Sequence, residues 1–278
     1  MRLIVRLTNL SQSCTLDAMT EQREILDIQE KMSDAKTSAI QKYQNLVIGQ
    51  PGFLALAKHE FIHTFISGIP GALGLVLRRL LYPFILGRMG RNVAIGSHVT
   101  FRHPHKVFIG DNVVLDDNCL VDAKGDSNKG ITIGSGVFIG RNSILHCKNG
   151  DIVVGDNANI GFNCDIASSN SVEIGEKVLI AAYSYIVGGG HDFSKTDVPI
   201  MDQKRVAKGI RIGAHSWIGA SVTVLDGVTI GESSIVGTGA VVNNDLPANT
   251  ISVGMPAKVI RQRDASTPAP KEEVNGDQ

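Results

Sequence analysis

Residues 210–242 read IRIGAHSWIGASVTVLDGVTIGESSIVGTGAVV, and every sixth position in this stretch is aliphatic: Ile212, Ile218, Val224, Ile230, Val236 and Val242. The residue two places before each is small or β-branched: Ile210, Ser216, Val222, Val228, Ser234 and Ala240. Glycine follows directly at Gly213, Gly219, Gly231 and Gly237. An α-helix has no use for a six-residue period with glycine in most turns, and β-branched inward residues favour strand. Each hexapeptide therefore predicts one short strand and one corner, three of which complete a triangular coil.

The same register extends upstream. It places Ile95, Phe101, Ile109, Leu115, Val121, Ile133, Ile139, Leu145, Val154, Ile160, Ile166, Ile174, Ile180 and Ile186 on inward positions. If the first strand of each coil holds residue 109, 133, 154, 174, 212 or 230, the coils are 24, 21, 20, 38 and 18 residues long. Relative to a regular coil of 18, every insertion then falls after the third strand. Stacked repeats tolerate insertions at one corner because the core is left intact. The expected fold is an all-β solenoid, a parallel β-helix of hexapeptide repeats over residues 91–263. A helical extension precedes it over 1–90, and a disordered tail of polar and proline-rich composition follows over 264–278.

Composition excludes several functions. Lys+Arg and Asp+Glu both total 27, so no global field attracts nucleic acid. The four cysteines, Cys14, Cys119, Cys147 and Cys164, show no CxxC spacing, and Cys119 and Cys164 fall on small inward slots. Buried thiols in a reducing compartment are expected. The start, MRLIVRLTNLSQSC, lacks the sustained apolar run of a secretory signal, so a cytoplasmic location is expected.

Ahead of the repeats, residues 17–46 are polar and helix-prone. Ile25, Ile28, Met32, Ala35, Ala39 and Leu46 suggest a coiled-coil seam that Lys42 interrupts. Residues 53–67 read as an amphipathic helix with His59, Glu60, His63, Thr64 and Ser67 on its polar side, and residues 68–71 as a turn. Residues 72–86 are strongly apolar, but Arg78 and Arg79 at their centre argue against a membrane-spanning helix. Two roles fit: capping the open first coil, or peripheral contact of residues 53–87 with the inner membrane surface.

The longest insertion, residues 188–209, begins GGGHDFSKTDVP. Long loops on rigid scaffolds tend to carry function, and His191 has the side chain whose ordinary pKa suits proton removal near neutral pH. Here the chain resembles the hexapeptide-repeat acyltransferases, in the galactoside, maltose and xenobiotic acetyltransferase branch. The resemblance rests on Gly190-His191, on residues 217–242, and on GMPAKVIR at 254–261. It implies a left-handed β-helix, homotrimers with active sites between subunits, acetyl-CoA or another acyl-CoA as co-substrate, and no metal. It makes His191 the general base of an O-acyltransferase acting on a saccharide or small-molecule acceptor. Trp217, Ala220, Thr238 and Asn243 match positions lining the coenzyme A groove, and Lys258 and Arg261 match basic residues at its phosphates. Asn243-Asn244 replaces the family's Thr-Lys. Tyr183 and Tyr185 are candidates for the acceptor site, as is Asp192, which could also orient the base.

Two rival readings stand beside this one. A non-catalytic β-helix scaffold would leave the His191 loop without a purpose. A zinc carbonic anhydrase-like enzyme would use His98, His103 and His146. In-chain spacing opposes it, since His146 lies about two coils, roughly 10 Å, from the other two, against a Zn–N bond of about 2.1 Å.

Overall fold

The computed structural model describes residues 37–263. Three parallel sheets form the faces of a left-handed triangular β-helix of hexapeptide repeats. Face one stacks the strands ending at Ile109, Ile133, Val154, Ile174, Ile212 and Ile230; face two those ending at Ile95, Leu115, Ile139, Ile160, Ile180, Ile218 and Val236. Face three carries Phe101, Val121, Leu145, Ile166, Ile186, Val224 and Val242. All 20 inward positions expected from the hexapeptide register lie on their expected faces and are at most 2% exposed.

The period works because each coil hydrogen-bonds to the next along its whole perimeter. Gly134 N–H donates to Val154 O at 2.8 Å, and Gly175 N–H to Ile212 O at 2.8 Å. Inward serines find acceptors in the following coil, Ser143 Oγ at Gly161 O (2.9 Å) and Ser216 Oγ at Gly231 O (3.0 Å), so the narrow core holds no unpaired hydroxyl there. Cys119 and Cys164 behave alike, directing Sγ to Gly140 O and Ala181 O. Burial pushes the Cys119 thiol up to about 11. Cys147, two residues past the inward Leu145, closes the strand Ile144–Cys147 and is buried; burial raises its thiol further still. These are inert packing thiols. Cys14 and the expected tail at 264–278 lie outside the described residues.

The corners have a rule of their own. Three residues before an inward position, the chain turns through left-handed backbone, as at Asn112, Asn118, Asn142, Asn157 and Asn163, with φ between 54° and 60°. Asparagine and glycine enter this region most readily. The insertions sit between faces three and one, as expected.

The β-helix begins with Arg88–Met89 on face one, three residues ahead of the expected boundary. It ends with Thr250–Val253 on face two, against which Lys258–Gln262 folds back antiparallel. Among the described residues three short α-helices precede it: α1 (Ala39–Tyr43), α2 (Phe53–Phe65) and α3 (Gly71–Leu81). Most of the suggested coiled-coil seam lies outside the described residues. Its described end is α1, capped by Ser38, followed by a turn of π-helix at Gln44–Ile48. No helix among the described residues is long and apolar enough to cross a membrane.

These helices cap the first coil, whose carbonyls have no preceding coil to bond. Arg78 Nε donates to Ile95 O at 2.7 Å, Tyr82 Oη to Val99 O at 3.3 Å, and His59 Nε2 lies 3.2 Å from Phe101 O. So part of the polar side of α2 faces inward beside Ile62 and Ile66, which join the core: His59 is 3% exposed, and burial drives the pKa of His63 down to about 4. Leu54, Phe61 and Phe65 face away from the coils.

Candidate active site

The arm that carries His191 leaves the β-helix where face three turns toward face one, after Tyr185–Gly188. Two of its three glycines are required by the backbone. A Cβ on Gly188 would lie 2.8 Å from Ala167 O, and Gly189 has φ +143°. Gly190 then opens a two-residue antiparallel ladder, Gly190 with Val206 and His191 with Arg205, extended by Asp192 N–H to Lys204 O at 2.7 Å. Gln203, buried in the arm, ties its far end together through Lys195 O (2.8 Å) and Val198 O (2.9 Å). Beyond it, Phe193, Ile200 and Met201 are exposed.

His191 is half-buried. Its Nδ1 is buried with no hydrogen-bond partner among the described residues, which leaves Nε2 as the nitrogen open to an acceptor. Asp192 follows it in sequence but turns elsewhere: its Oδ1 accepts from Ser194 N–H at 2.9 Å, which holds the carboxyl below the usual range. The side chain is placed to cap its own turn.

Tyr185 points outward from face three, in register with Asp165 on one side and Thr223 on the other. Burial and the neighbouring Asp165 raise its pKa. His146 Nε2 lies 3.2 Å from Asp165 Oδ1, close enough for an ion pair, though not aligned as a hydrogen bond. The sequence reading missed this cluster, in which Asp165 is in register with Tyr185 while His146, in register with Ala167, reaches it diagonally. Tyr183 sits on the corner before it, its ring edge-on to Phe162.

The residues matched to a donor groove divide between two edges. Trp217 is exposed on face two and in register with Ile235, which pairs with Ile251, whose antiparallel partner is Arg261. Lys258 pairs with Val253 on the same terminal ladder. Ala220 and Thr238 occupy successive coils at the corner between faces two and three, linked by Gly239 N–H to Ala220 O at 2.8 Å. These five form one strip. Asn243 stands on the other edge, between faces three and one, where His191 also emerges, and its Oδ1 accepts from Asn244 Nδ2 at 2.9 Å. The glycines of the strip serve stacking: a Cβ on Gly219 would lie 2.7 Å from Thr238 N, and one on Gly237 2.7 Å from Val253 Cγ1.

The histidines of the zinc reading are not brought together. His98 packs against the turn at Gly68, His103 lies 3.8 Å from Asp122, and His146 faces Asp165. Among the described residues no group of three or more His, Cys, Asp or Glu side chains is placed to hold a metal ion.

Residues 209–244 match the family model "Bacterial transferase hexapeptide (six repeats)", and residues 151–187 the "Hexapeptide repeat of succinyl-transferase". The chain is 30% identical over 169 residues to the "Putative lipopolysaccharide biosynthesis O-acetyl transferase WbbJ" of Escherichia coli (strain K12). That match covers 58% of this chain and 85% of the relative. The chain belongs to the hexapeptide-repeat acyltransferases. It is also similar to the galactoside O-acetyltransferase of Escherichia coli, 32% identical over 47% of this chain and 63% of that protein. A "Probable acetyltransferase" of Mycobacterium tuberculosis is 37% identical over 49% of this chain. The chain spans 45% of the length of that mycobacterial relative. The names of all three relatives describe acetyl transfer, one of them to a galactoside and one in lipopolysaccharide biosynthesis.

Proposed function

We propose that the protein moves an acyl group, acetyl in the simplest case, from coenzyme A to a hydroxyl of a sugar or of a polysaccharide or glycolipid precursor. The observation that carries this reading is His191, held by a strand ladder at the root of the long arm with Nε2 open. Nε2 takes the acceptor's proton as its oxygen attacks the thioester carbonyl. The C–O bond forms, the C–S bond breaks, and the coenzyme A thiolate leaves with the proton that His191 holds. An amine acceptor would react through the same base. No cysteine is required, in keeping with three buried thiols of raised pKa.

The two edges support an assembled site. From the Ala220–Thr238 corner to the His191 edge, face three is about five residues wide, roughly 16 Å at strand spacing. A pantetheine arm lying on one chain's strip would thus meet the His191 of another copy more readily than its own. The exposed Phe193, Ile200 and Met201 give the arm apolar side chains for such a neighbour. A homotrimer is the expected assembly, and light scattering at micromolar concentration should return three times the chain mass; a monomer would count against a shared site.

Lys258 and Arg261 are exposed on the terminal strand, where the phosphates of coenzyme A would be held by charge. The double substitution Lys258→Ala with Arg261→Ala should raise the KM for acyl-CoA by about tenfold or more, because each hydrogen bond to a charged group contributes about 1.5–3 kcal/mol. The defect should narrow as salt is added, since screening weakens the parent's contacts first. Calorimetry showing no binding of coenzyme A or its acyl esters to the parent protein would overturn the transferase reading in favour of a scaffold subunit.

A further inference from the structure

The cap is apolar on both of its sides. Its inward side sets Arg78, Tyr82 and His59 on the carbonyls of the first coil and packs Ile62 and Ile66 into the core, and its outward side carries a second set of apolar side chains. On α2, Leu54, Phe61 and Phe65 follow a helical stripe, all more than half exposed; on α3, Leu73, Val76 and Leu80 do the same. Isolated exposed apolar side chains are ordinary, but two helical stripes at one end of a soluble β-helix call for a partner. A cleft joins the helices to the β-helix, lined by Leu54, Ala55, Phe84, Ile85 and Pro104, with Lys58 beside them.

Charge identifies the partner. Residues 51–110 contain seven Lys and Arg (Lys58, Arg78, Arg79, Arg88, Arg91, Arg102 and Lys106) and one acidic residue, Glu60. The whole chain has 27 of each sign, so the remainder holds 20 basic against 26 acidic residues, a net −6. Of the seven cations, Arg78 is buried against carbonyls, Arg91 pairs with Asp111, Arg102 lies 3.8 Å from Asp122 and Lys106 bonds Gly125 O, which leaves Lys58, Arg79 and Arg88 beside the apolar stripes. Lys58, Arg79 and Arg88 are exposed there. Apolar side chains rimmed by cations suit an interface whose interior is hydrocarbon and whose surface is anionic. We infer that the cap seats the protein on the surface of a membrane containing anionic phospholipid. Leu54, Phe61, Phe65, Leu73, Leu80 and Phe84 enter the acyl boundary, while Lys58, Arg79 and Arg88 meet headgroup phosphates. This inference is independent of the acyl-transfer reading.

Vesicle co-sedimentation of the full chain tests it, comparing phosphatidylcholine alone with phosphatidylcholine plus phosphatidylglycerol. The anionic vesicles should bind about tenfold or more tightly than the neutral ones, and added salt should reduce that preference. Phe65→Ser with Leu80→Ser should weaken binding to both compositions about tenfold at an unchanged melting temperature, because both side chains are already exposed. Lys58→Glu with Arg79→Glu should abolish the anionic preference alone. No sedimentation with either vesicle overturns the inference. So does a serine variant that binds as well as the parent. A serine variant that loses oligomeric mass would assign the stripe to a second copy, and one with a sharply lowered melting temperature to residues 1–36 of the same chain; either result overturns the membrane seat.

Discussion

Replacing His191 with alanine is expected to lower turnover by about 10²–10⁴-fold, the usual share of a positioned general base, while coenzyme A affinity and melting temperature stay close to the parent's. The separation follows from how the residue is held. Its backbone is paired with Arg205 and flanked by the Asp192–Lys204 hydrogen bond, and alanine keeps both. Its imidazole is half-buried and none of its bonds tie the arm together; that task falls to Gln203. Asp192 is a poor substitute base, since Ser194 holds its carboxyl below the ordinary range and turns it into the loop. His191→Gln should therefore be as slow as His191→Ala. Activity within a few-fold of the parent would remove His191 from the mechanism.

The hexapeptide register was legible because the core of a β-helix is one residue wide: each inward side chain is specified separately, and the insertions betray the coil length. Other features lay out of reach for physical reasons. His59 looks outward by ordinary amphipathic logic, but α2 caps the end of a solenoid whose unpaired carbonyls need donors, and this buries it beside Ile62 and Ile66. Gly219, Gly237 and Gly239 suggest room for a slender ligand, yet at the first two the space a Cβ would need is filled by Thr238 and Val253 of the adjoining coil; at Gly239 only Met255 Cε comes near, at 4.0 Å. Asn243 matches a family position by its distance from the last repeat, and only the topology shows it on the edge of His191, apart from Trp217 and Lys258. One missed signal was available. The asparagines three residues before inward positions mark left-handed corners and would have confirmed the register independently. The pairing of His146 with Asp165 depends on residues a full coil apart and has no local trace.

The largest loss of stability is expected from Arg78→Met, and it should be confined to the cap. Arg78 is 1% exposed, and its guanidinium hydrogen-bonds to backbone carbonyls. It serves them from two directions, Nε to Ile95 O on the first coil at 2.7 Å and Nη1 to Ile69 O at 2.7 Å in the turn before α3. Nη1 also reaches Ser67 O at 3.2 Å. Only a planar fork joins both sides at once. Methionine fills comparable volume but leaves those acceptors buried without donors, at about 1–3 kcal/mol each, so a total of about 3–5 kcal/mol is expected. Lysine, with one compact head, should recover only part. Arg79→Met, one residue on and exposed, should stay within about 0.5 kcal/mol of the parent. Hydrogen exchange resolves the location: in Arg78→Met, amides of α2 and α3 should lose protection while the coils from Val107 onward keep theirs, because each coil after the first takes its hydrogen bonds from its neighbours. Equal loss of protection along the whole β-helix would mean that the cap and the coils unfold as one unit, and the carbonyl-capping account of Arg78 would then be wrong about where its stabilisation resides.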